Sequence, residues 1–340
     1  MEPIHALERL NEIAFSFYTA GAFAAASNLK LFDCLADGPH EASTVANMLN
    51  VHPEPCRRLL VAMQQLGLVE QEKGKFENSE LGSYLQHDAE VPMSFSQHDN
   101  YFYRLWEYLP DAIREFSPRH EQAWGKTAQE LYKAIYSNED QLRQFFKLLD
   151  SYNIPIGSEA AKLLNFEKSH CILDVAGGTG SFAAEIVKVN KHLRGISLDL
   201  PPIQKLCEEM IVRSGLSGRF EFHMGDMFKF ATYPKNVDVV FLSYILHNWN
   251  DENCRQILEN CRDALPKGGM LVISEKVLQA DGSGEWWGVM MSLQMLLAFQ
   301  PGSKERTLDE YRALLGSTGF GTPELLRLKA PRDLLVAFKR

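Results

Sequence analysis

Four short stretches carry residues whose types and spacing suit the holding of a nucleoside beside a reactive centre. The first is LDVAGGTGSF, residues 173–182, where Asp174 precedes Gly177, Gly178 and Gly180. Glycines at such a place permit a sharp turn from strand into helix and a close approach of backbone to ligand. In the second, GISLDLP, Asp199 and Leu200 end an apolar run, and a carboxylate there can accept from two ribose hydroxyls. The third, FEFHMGDMF, ends in Gly225, Asp226 and Met227, an acid for an adenine amino group and a methionine to cover the ring. The fourth, VDVVFLSYILHNWNDE, delivers His247 one turn beyond its strand-like run, a base facing the same crevice.

Taken alone, the glycine loop does not choose its ligand. Gly178-x-Gly180-x-x-Ala183, with Asp199 about 20 residues beyond, also fits the dinucleotide fingerprint. A dehydrogenase and a nucleoside-binding transferase therefore start level. A lone Asp after a strand is often a helix cap and a lone His often structural. Four such features in order weigh against both.

The elements that must position these residues follow from periodicity. Strand-like runs at 171–175, 195–199, 219–223, 237–243 and 270–274 alternate with helical segments, and two more candidates occupy 324–328 and 334–339. Alternation of this kind predicts an α/β fold, a mostly parallel sheet covered on both faces with ligands at the strands' carboxyl ends. Cys254, Ile257, Leu258, Cys261 and Leu265 fall on one face of a helix over 251–265. Only KAPRD separates the last two strands, too short for a parallel crossover, so one of them runs antiparallel.

The 340 residues allow about two domains, and 45% hydrophobic with 23% charged residues is ordinary soluble composition. Residues 1–95 read as short helices, including a face of Leu59, Leu60, Met63, Leu66 and Leu68, then a hairpin turning at Gly74. This is a winged-helix-like domain. Its second helix offers only Arg57 and Arg58, and the chain carries net charge −9, so a dimerising role is expected and no nucleic acid. Residues 96–165 form a helical linker region contributing aromatics to a substrate pocket, Tyr101, Phe102, Tyr103 and Trp106 among them; 166–340 is the sheet domain. The apolar stretch IAFSFYTAGAFAAA (13–26) follows Glu8, Arg9 and Glu12 instead of a basic cluster, and is too short to span a bilayer. It is expected to pack on a second subunit and not in a membrane. Six scattered cysteines without a CxxC imply reduced thiols in a cytoplasmic protein.

Over nearly its whole length the chain resembles the S-adenosylmethionine-dependent O-methyltransferases of the plant caffeic acid and acetylserotonin types. The segments that carry the resemblance are LDVAGGTGSF, LDLP, GDMF, LHNWNDENCRQILENCRDALPKGGMLVISE and PGSKERT. It implies a Rossmann-like, class I methyltransferase domain with seven strands and a closing antiparallel hairpin, behind an N-terminal dimerisation domain. It implies S-adenosyl-L-methionine as cofactor, S-adenosyl-L-homocysteine as product, no metal, a homodimer and a small aromatic acceptor. By motif, His247 matches the catalytic base and Glu275 and Glu305 the two flanking acids. Asp174, Gly177, Gly178 and Gly180 match the loop around the methionyl and ribose parts, Asp199 and Leu200 the ribose ligand, and Gly225, Asp226 and Met227 the adenine contacts. Tyr136 and Asn153 fall near positions that reach the methionyl end. One departure stands out: where relatives carry Lys or Arg, four residues before the base, this chain has Ser243, so a cation near the cofactor is missing or comes from elsewhere.

The chemistry asks for these types. A sulfonium methyl is already activated, so alignment is the main requirement. A phenol must lose its proton to a positioned base as it attacks, and a carboxylate beside the imidazole fixes its tautomer. Glu275 is the expected orienter because it closes a buried strand, whereas Glu305 lies in a loop. Met291, Met295 and Phe299, four apart on a helix, offer an adaptable wall for a flat acceptor. The alternative is the same fold and cofactor turned to hydroxylation, decarboxylation or pericyclic chemistry.

Overall fold

The computed structural model describes residues 2–89, 98–329 and 331–340, in two units, Met1–Tyr103 and Arg104–Arg340. In the first unit, Pro3 opens the helix Pro3–Ala14 at a position whose amide would be unpaired anyway. That helix buries none of its residues, and Ile4, Leu7, Leu10 and Ile13 leave an apolar stripe in water. The next helix, Ser16–Asn28, buries Ala26 but exposes Phe17 and Tyr18, whose rings lie 4.5 Å apart edge to face. Helices Ala42–Leu49 and Pro53–Gln65 enclose a small core of Phe32, Val45, Leu60, Met63, Val69 and Phe76. Beside it lies an antiparallel sheet of β1 (His40–Glu41), β2 (Val69–Glu72) and β3 (Lys75–Asn78). Lys73 and Gly74 both take left-handed φ, 50° and 80°, in the two-residue turn between β2 and β3, a geometry that suits the twist of a hairpin.

The second unit is built on a seven-stranded sheet: β4 (Cys171–Val175), β5 (Arg194–Asp199), β6 (Phe220–Met224), β7 (Val239–Ser243), β8 (Met270–Glu275), β11 (Glu324–Leu326) and β12 (Asp333–Phe338). Two short strands, β9 (Val277–Leu278) and β10 (Arg306–Thr307), form a separate parallel ladder. The order in the large sheet is β11-β12-β8-β7-β4-β5-β6, and only β12 runs against its neighbours. The chain steps outward from β4 to β6, then returns to β7 on the other side. Strand order reverses beside β4, which opens a crevice at the carboxyl ends of β4 and β7. Because β12 is antiparallel, with Asp333 opposite Glu275, Arg332 enters at that same rim.

Alternating side chains send each strand's residues to two cores. Leu173, Val240 and Leu242 pack against Cys254, Ile257, Leu258 and Cys261 of the helix Asp251–Ala264. Ile172, Val239 and Phe241 pack against Phe182 and Ile186 of Ser181–Val189 and Ile156 of Glu139–Leu163. The last helix starts on an Asn138 cap and continues through Pro155. A Cβ on Gly157 would stand 2.5 Å from the Phe182 carbonyl oxygen, so only glycine lets the two helices lie this close. That approach brings Asp150 of the same helix onto Thr179 and Ser181 and Asn153 onto the crevice.

Candidate active site

The rim of β4 is tight against its own protein. A Cβ on Gly177 would stand 2.6 Å from Asp174 Cγ, one on Gly178 2.3 Å from the Phe146 ring, and one on Gly180 2.8 Å from the Phe220 ring. Gly178 and Gly180 also take φ of +58° and +79°. Packing of the loop on these side chains, which the sequence pattern alone does not display, therefore already requires the glycines. Asp174 is 1% exposed, and neither carboxylate oxygen has a hydrogen-bond partner among the described residues. Burial pushes its carboxyl up to about 7; the Ala183 amide opposes this without reaching hydrogen-bond geometry, and Asp199 adds to the rise. An unpaired buried acid of this kind is costly, and a ligand cation is what would relieve it.

At the end of β5, Asp199 accepts from the Gly178 amide at 2.8 Å and the Leu200 amide at 2.6 Å, which ties the glycine loop to the neighbouring strand. Each oxygen keeps a further lone pair. Burial pushes this carboxyl up to about 6 against those two amides. Tyr136 stacks edge-on to Phe146 at 6.3 Å, and its hydroxyl is raised by burial and then by the charge of Asp199. Beyond β6, the Gly225 amide donates to the Asp199 carbonyl, Asp226 accepts from the Phe228 amide at 3.0 Å and pairs with Lys229 at 3.3 Å, and Met227 is half-buried.

His247 sits in a short helical turn, Leu246–Asn248, directly after β7, and is buried. Its Nδ1 lies 2.6 Å from Glu305 Oε1. Glu275 does not bond the ring. It accepts from the His247 backbone amide at 3.0 Å and from the Tyr311 hydroxyl, so it fixes the turn that carries His247. The ring contact expected of Glu275 is thus made by Glu305 instead. Glu305 is held firmly although its segment lacks a long strand. Arg306 pairs with Val277 in the β9–β10 ladder, is fully buried, and donates to the carbonyls of Leu246 and Trp249 and to Asp251. The Lys304 amide also donates to the His247 carbonyl. Burial raises the Glu305 carboxyl above the usual carboxylate range, with the imidazole opposing.

Two residues that sequence reasoning missed complete this side. Tyr244 takes φ of +65°, uncommon for a bulky side chain, and its ring centroid lies 4.0 Å from that of His247. Arg332 stacks over the Tyr244 ring at 3.9 Å and donates through Nη1 to Asn153 Oδ1 at 2.8 Å and Ser243 Oγ at 3.1 Å. A guanidinium from the connection before β12 therefore stands against Ser243, which brings no charge of its own. A cavity of about 70 Å³ is bounded by Asn153, Asp174, Gly177, Ser243, Tyr244 and Arg332.

Of the residues expected to wall an acceptor, Met291 and Met295 share a face of the helix Trp286–Ala298, and Met295 is buried. Phe299 lies past the helix end and stacks on Tyr132 at 5.6 Å, so the three do not form one helical wall. Trp106 donates from Nε1 to Gln294 Oε1 at 2.5 Å, while Gln294 Nε2 is buried without a partner among the described residues. Val289, Leu293 and Leu296, on the helix's other face, line a larger cavity of about 730 Å³. Tyr103 belongs to the first unit, exposed, with its ring 6.3 Å from Phe17; the Tyr101 side chain lies outside the described residues. Among the described residues no His, Cys, Asp or Glu cluster could hold a metal ion, and no helix is long and apolar enough to cross a membrane.

Residues 106–321 match the O-methyltransferase domain and residues 11–88 the O-methyltransferase dimerisation domain. The chain belongs to this family of S-adenosylmethionine-dependent O-methyltransferases. Among its relatives, the acetylserotonin O-methyltransferase of Bos taurus is 30% identical over 97% of each chain. The 3-hydroxy-5-methyl-1-naphthoate 3-O-methyltransferase of Streptomyces sahachiroi is 28% identical over 95% of this chain and 92% of its own. The structure of human N-acetylserotonin methyltransferase in complex with S-adenosylmethionine superposes with a TM-score of 0.90 at 28% identity, covering 100% of this chain and 98% of that one. The cofactor is S-adenosylmethionine, and the residues present suit it: an unpaired buried acid, a buried cation and a second acid with free lone pairs line one rim.

Proposed function

We propose that the protein methylates a hydroxyl of a small aromatic acceptor, with His247 as general base and Glu305 as the carboxylate that orients it. The buried 2.6 Å pair between His247 Nδ1 and Glu305 Oε1 carries this reading. An ionised carboxylate only accepts, so Nδ1 keeps its proton and Nε2 holds the lone pair. A phenol of pKa about 10 is mostly protonated at neutral pH. Nε2 takes that proton as the oxygen attacks, and Glu305 stabilises the imidazolium that forms. Bound S-adenosylmethionine supplies an activated methyl on its sulfonium, for transfer in line to the attacking oxygen. The chain's other task is alignment: Asp199 and Leu200 at the ribose, Asp226 and Met227 at the adenine, and the loop from Asp174 to Gly180 with Tyr136 and Asn153 at the methionyl end.

An aromatic acceptor is supported by relatives named for acetylserotonin and for a hydroxynaphthoate, by the adaptable Met291 and Met295, and by the unpaired Gln294 amide, a donor for an acceptor oxygen. The stripe of Ile4, Leu7, Leu10 and Ile13 is read as covered by a second copy through the dimerisation domain. Six free cysteines suit the cytoplasm. Incubation with methyl-labelled S-adenosylmethionine and a panel of phenols and aromatic amines should move label onto hydroxyls with release of S-adenosylhomocysteine. Label only on amines, or acceptors altered without label, would sink the hydroxyl assignment, the second outcome pointing to repurposed chemistry. Light scattering should report a dimer.

A further inference from the structure

We infer that Arg332 receives the carboxylate of the cofactor's amino-acid end, and that with Asp174 it forms a receptor for the zwitterion. The guanidinium is 1% exposed yet has no carboxylate partner within ion-pair distance among the described residues. Its hydrogen bonds go from Nη1 alone, to Asn153 Oδ1 and Ser243 Oγ, both neutral. Arginine presents five N–H donors, and among the described residues Nε and Nη2 meet no acceptor. Across the same small cavity stands Asp174, a buried acid with both oxygens unpaired. Glu275 and Glu305 act on the guanidinium only through the field, from beyond ion-pair distance. A buried cation with no carboxylate in contact and a buried anion with no cation in contact are each unfavourable. An α-amino acid bears one ammonium and one carboxylate on the same carbon and relieves both at once.

The surroundings hold the arginine for this task. The Tyr244 ring at 3.9 Å and the Tyr152 ring at 5.8 Å flank the guanidinium and fix its plane. Asn153 and Ser243 accept without neutralising it. Asp333, next in sequence, is turned away to Lys276, Arg327 and the Val277 amide, so it does not quench the charge. An acceptor carboxylate could also reach a cation at this rim, but it would leave Asp174 unanswered.

The test is calorimetric binding of two ligands that differ only beyond the thioether. S-adenosylhomocysteine carries the amino-acid end; 5′-methylthioadenosine keeps the nucleoside and sulfur without it. Arg332→Met should weaken S-adenosylhomocysteine by about tenfold to a hundredfold, the worth of a charge-assisted bond, and leave 5′-methylthioadenosine within about threefold. Asp174→Asn should show the same selectivity, and Arg332→Lys should retain part of the preference. Equal losses for both ligands would make Arg332 a packing residue, and unchanged S-adenosylhomocysteine affinity would remove it from the site. A loss seen only for aromatic carboxylate inhibitors would transfer it to the acceptor. If Arg332→Met does not fold, Arg332→Lys decides: undiminished preference for the amino-acid ligand overturns the inference. The inference rests on the family's cofactor and not on the acceptor reading. Intact S-adenosylhomocysteine selectivity without phenol methylation would therefore count against the acceptor alone.

Discussion

The two halves of the sheet's rim are put together differently. From β4 to β6, the nucleoside side, each acid stands beside its own strand end and is held by nearby backbone: Asp199 by the amides of Gly178 and Leu200, Asp226 by that of Phe228. From β7 to β12, the side proposed to react, the side-chain hydrogen bonds of His247 and Arg332 join distant segments. His247 meets Glu305 58 residues on, and Arg332 meets Ser243 and Asn153 at separations of 89 and 179. On the proposed function, the nucleoside is thus held by motifs at the strand ends, whereas proton transfer and the grip on the amino-acid end rest on tertiary pairing. Substitutions at Asp199 and at His247 should therefore separate affinity from turnover, while Arg332 makes the amino-acid end of the cofactor depend on the second half.

The largest effect should come from the reacting half. His247→Gln keeps polarity but not basicity and should lower kcat by about 10²–10⁴-fold, with S-adenosylhomocysteine affinity nearly unchanged. Raising the pH should partly rescue it with a phenol acceptor, because solvent then deprotonates the nucleophile. A wild-type rate across mildly acidic to mildly basic pH would make His247 structural. Next come the two acids. Glu305→Gln removes the charged orienter and should cost about tenfold to a hundredfold in kcat, non-additively with His247→Gln. Glu275→Gln should act mainly through the turn that carries the base, lowering the melting temperature more than the rate. The opposite ranking in kcat would restore Glu275 as the orienter.

On the nucleoside side, Asp199→Asn should weaken S-adenosylhomocysteine and 5′-methylthioadenosine alike, by roughly tenfold, since both carry the ribose. A loss confined to one ligand would break the division of the rim. The smallest effect is pH-dependent. Burial holds Asp174 up to about 7 and Asp199 up to about 6 in the free protein. Both are expected to serve as charged acceptors in the complex, so binding lowers their pKa values and releases protons. Affinity should accordingly be complete above both values and fall as pH drops through 7 and then 6, by about threefold to tenfold per unit. Calorimetry in buffers of different ionisation heat would register the protons released; none released near pH 6 would remove both acids from ligand contact.

What the sequence made legible follows the same division. The strand ends, the Gly74 turn and the buried Cys254–Cys261 face rest on periods of two and 3.6 residues and on turn chemistry, all of which act within about ten residues. Arg332 was hidden because KAPRD reads only as a connection; its role depends on β12 running against β8. Glu305 was ranked below Glu275 because a two-residue ladder and one buried arginine leave no periodic trace. Phe299 continued a spacing whose helix ends one residue earlier. Even the glycines of the strand-to-helix turn owe part of their necessity to Phe146 and Phe220, which no local pattern links to the loop.

The helix Pro3–Ala14, none of whose residues is buried within its own chain, has a consequence for handling the enzyme. A helix of that length is marginal in water by itself, so a second copy that covers its stripe also supplies its order. Mass action then enters: the melting temperature and the helical content become functions of protein concentration. Dilution to assay conditions would thin out not only the pairs but the folded state of the first helix, and circular dichroism at falling concentration would trace both losses on one curve.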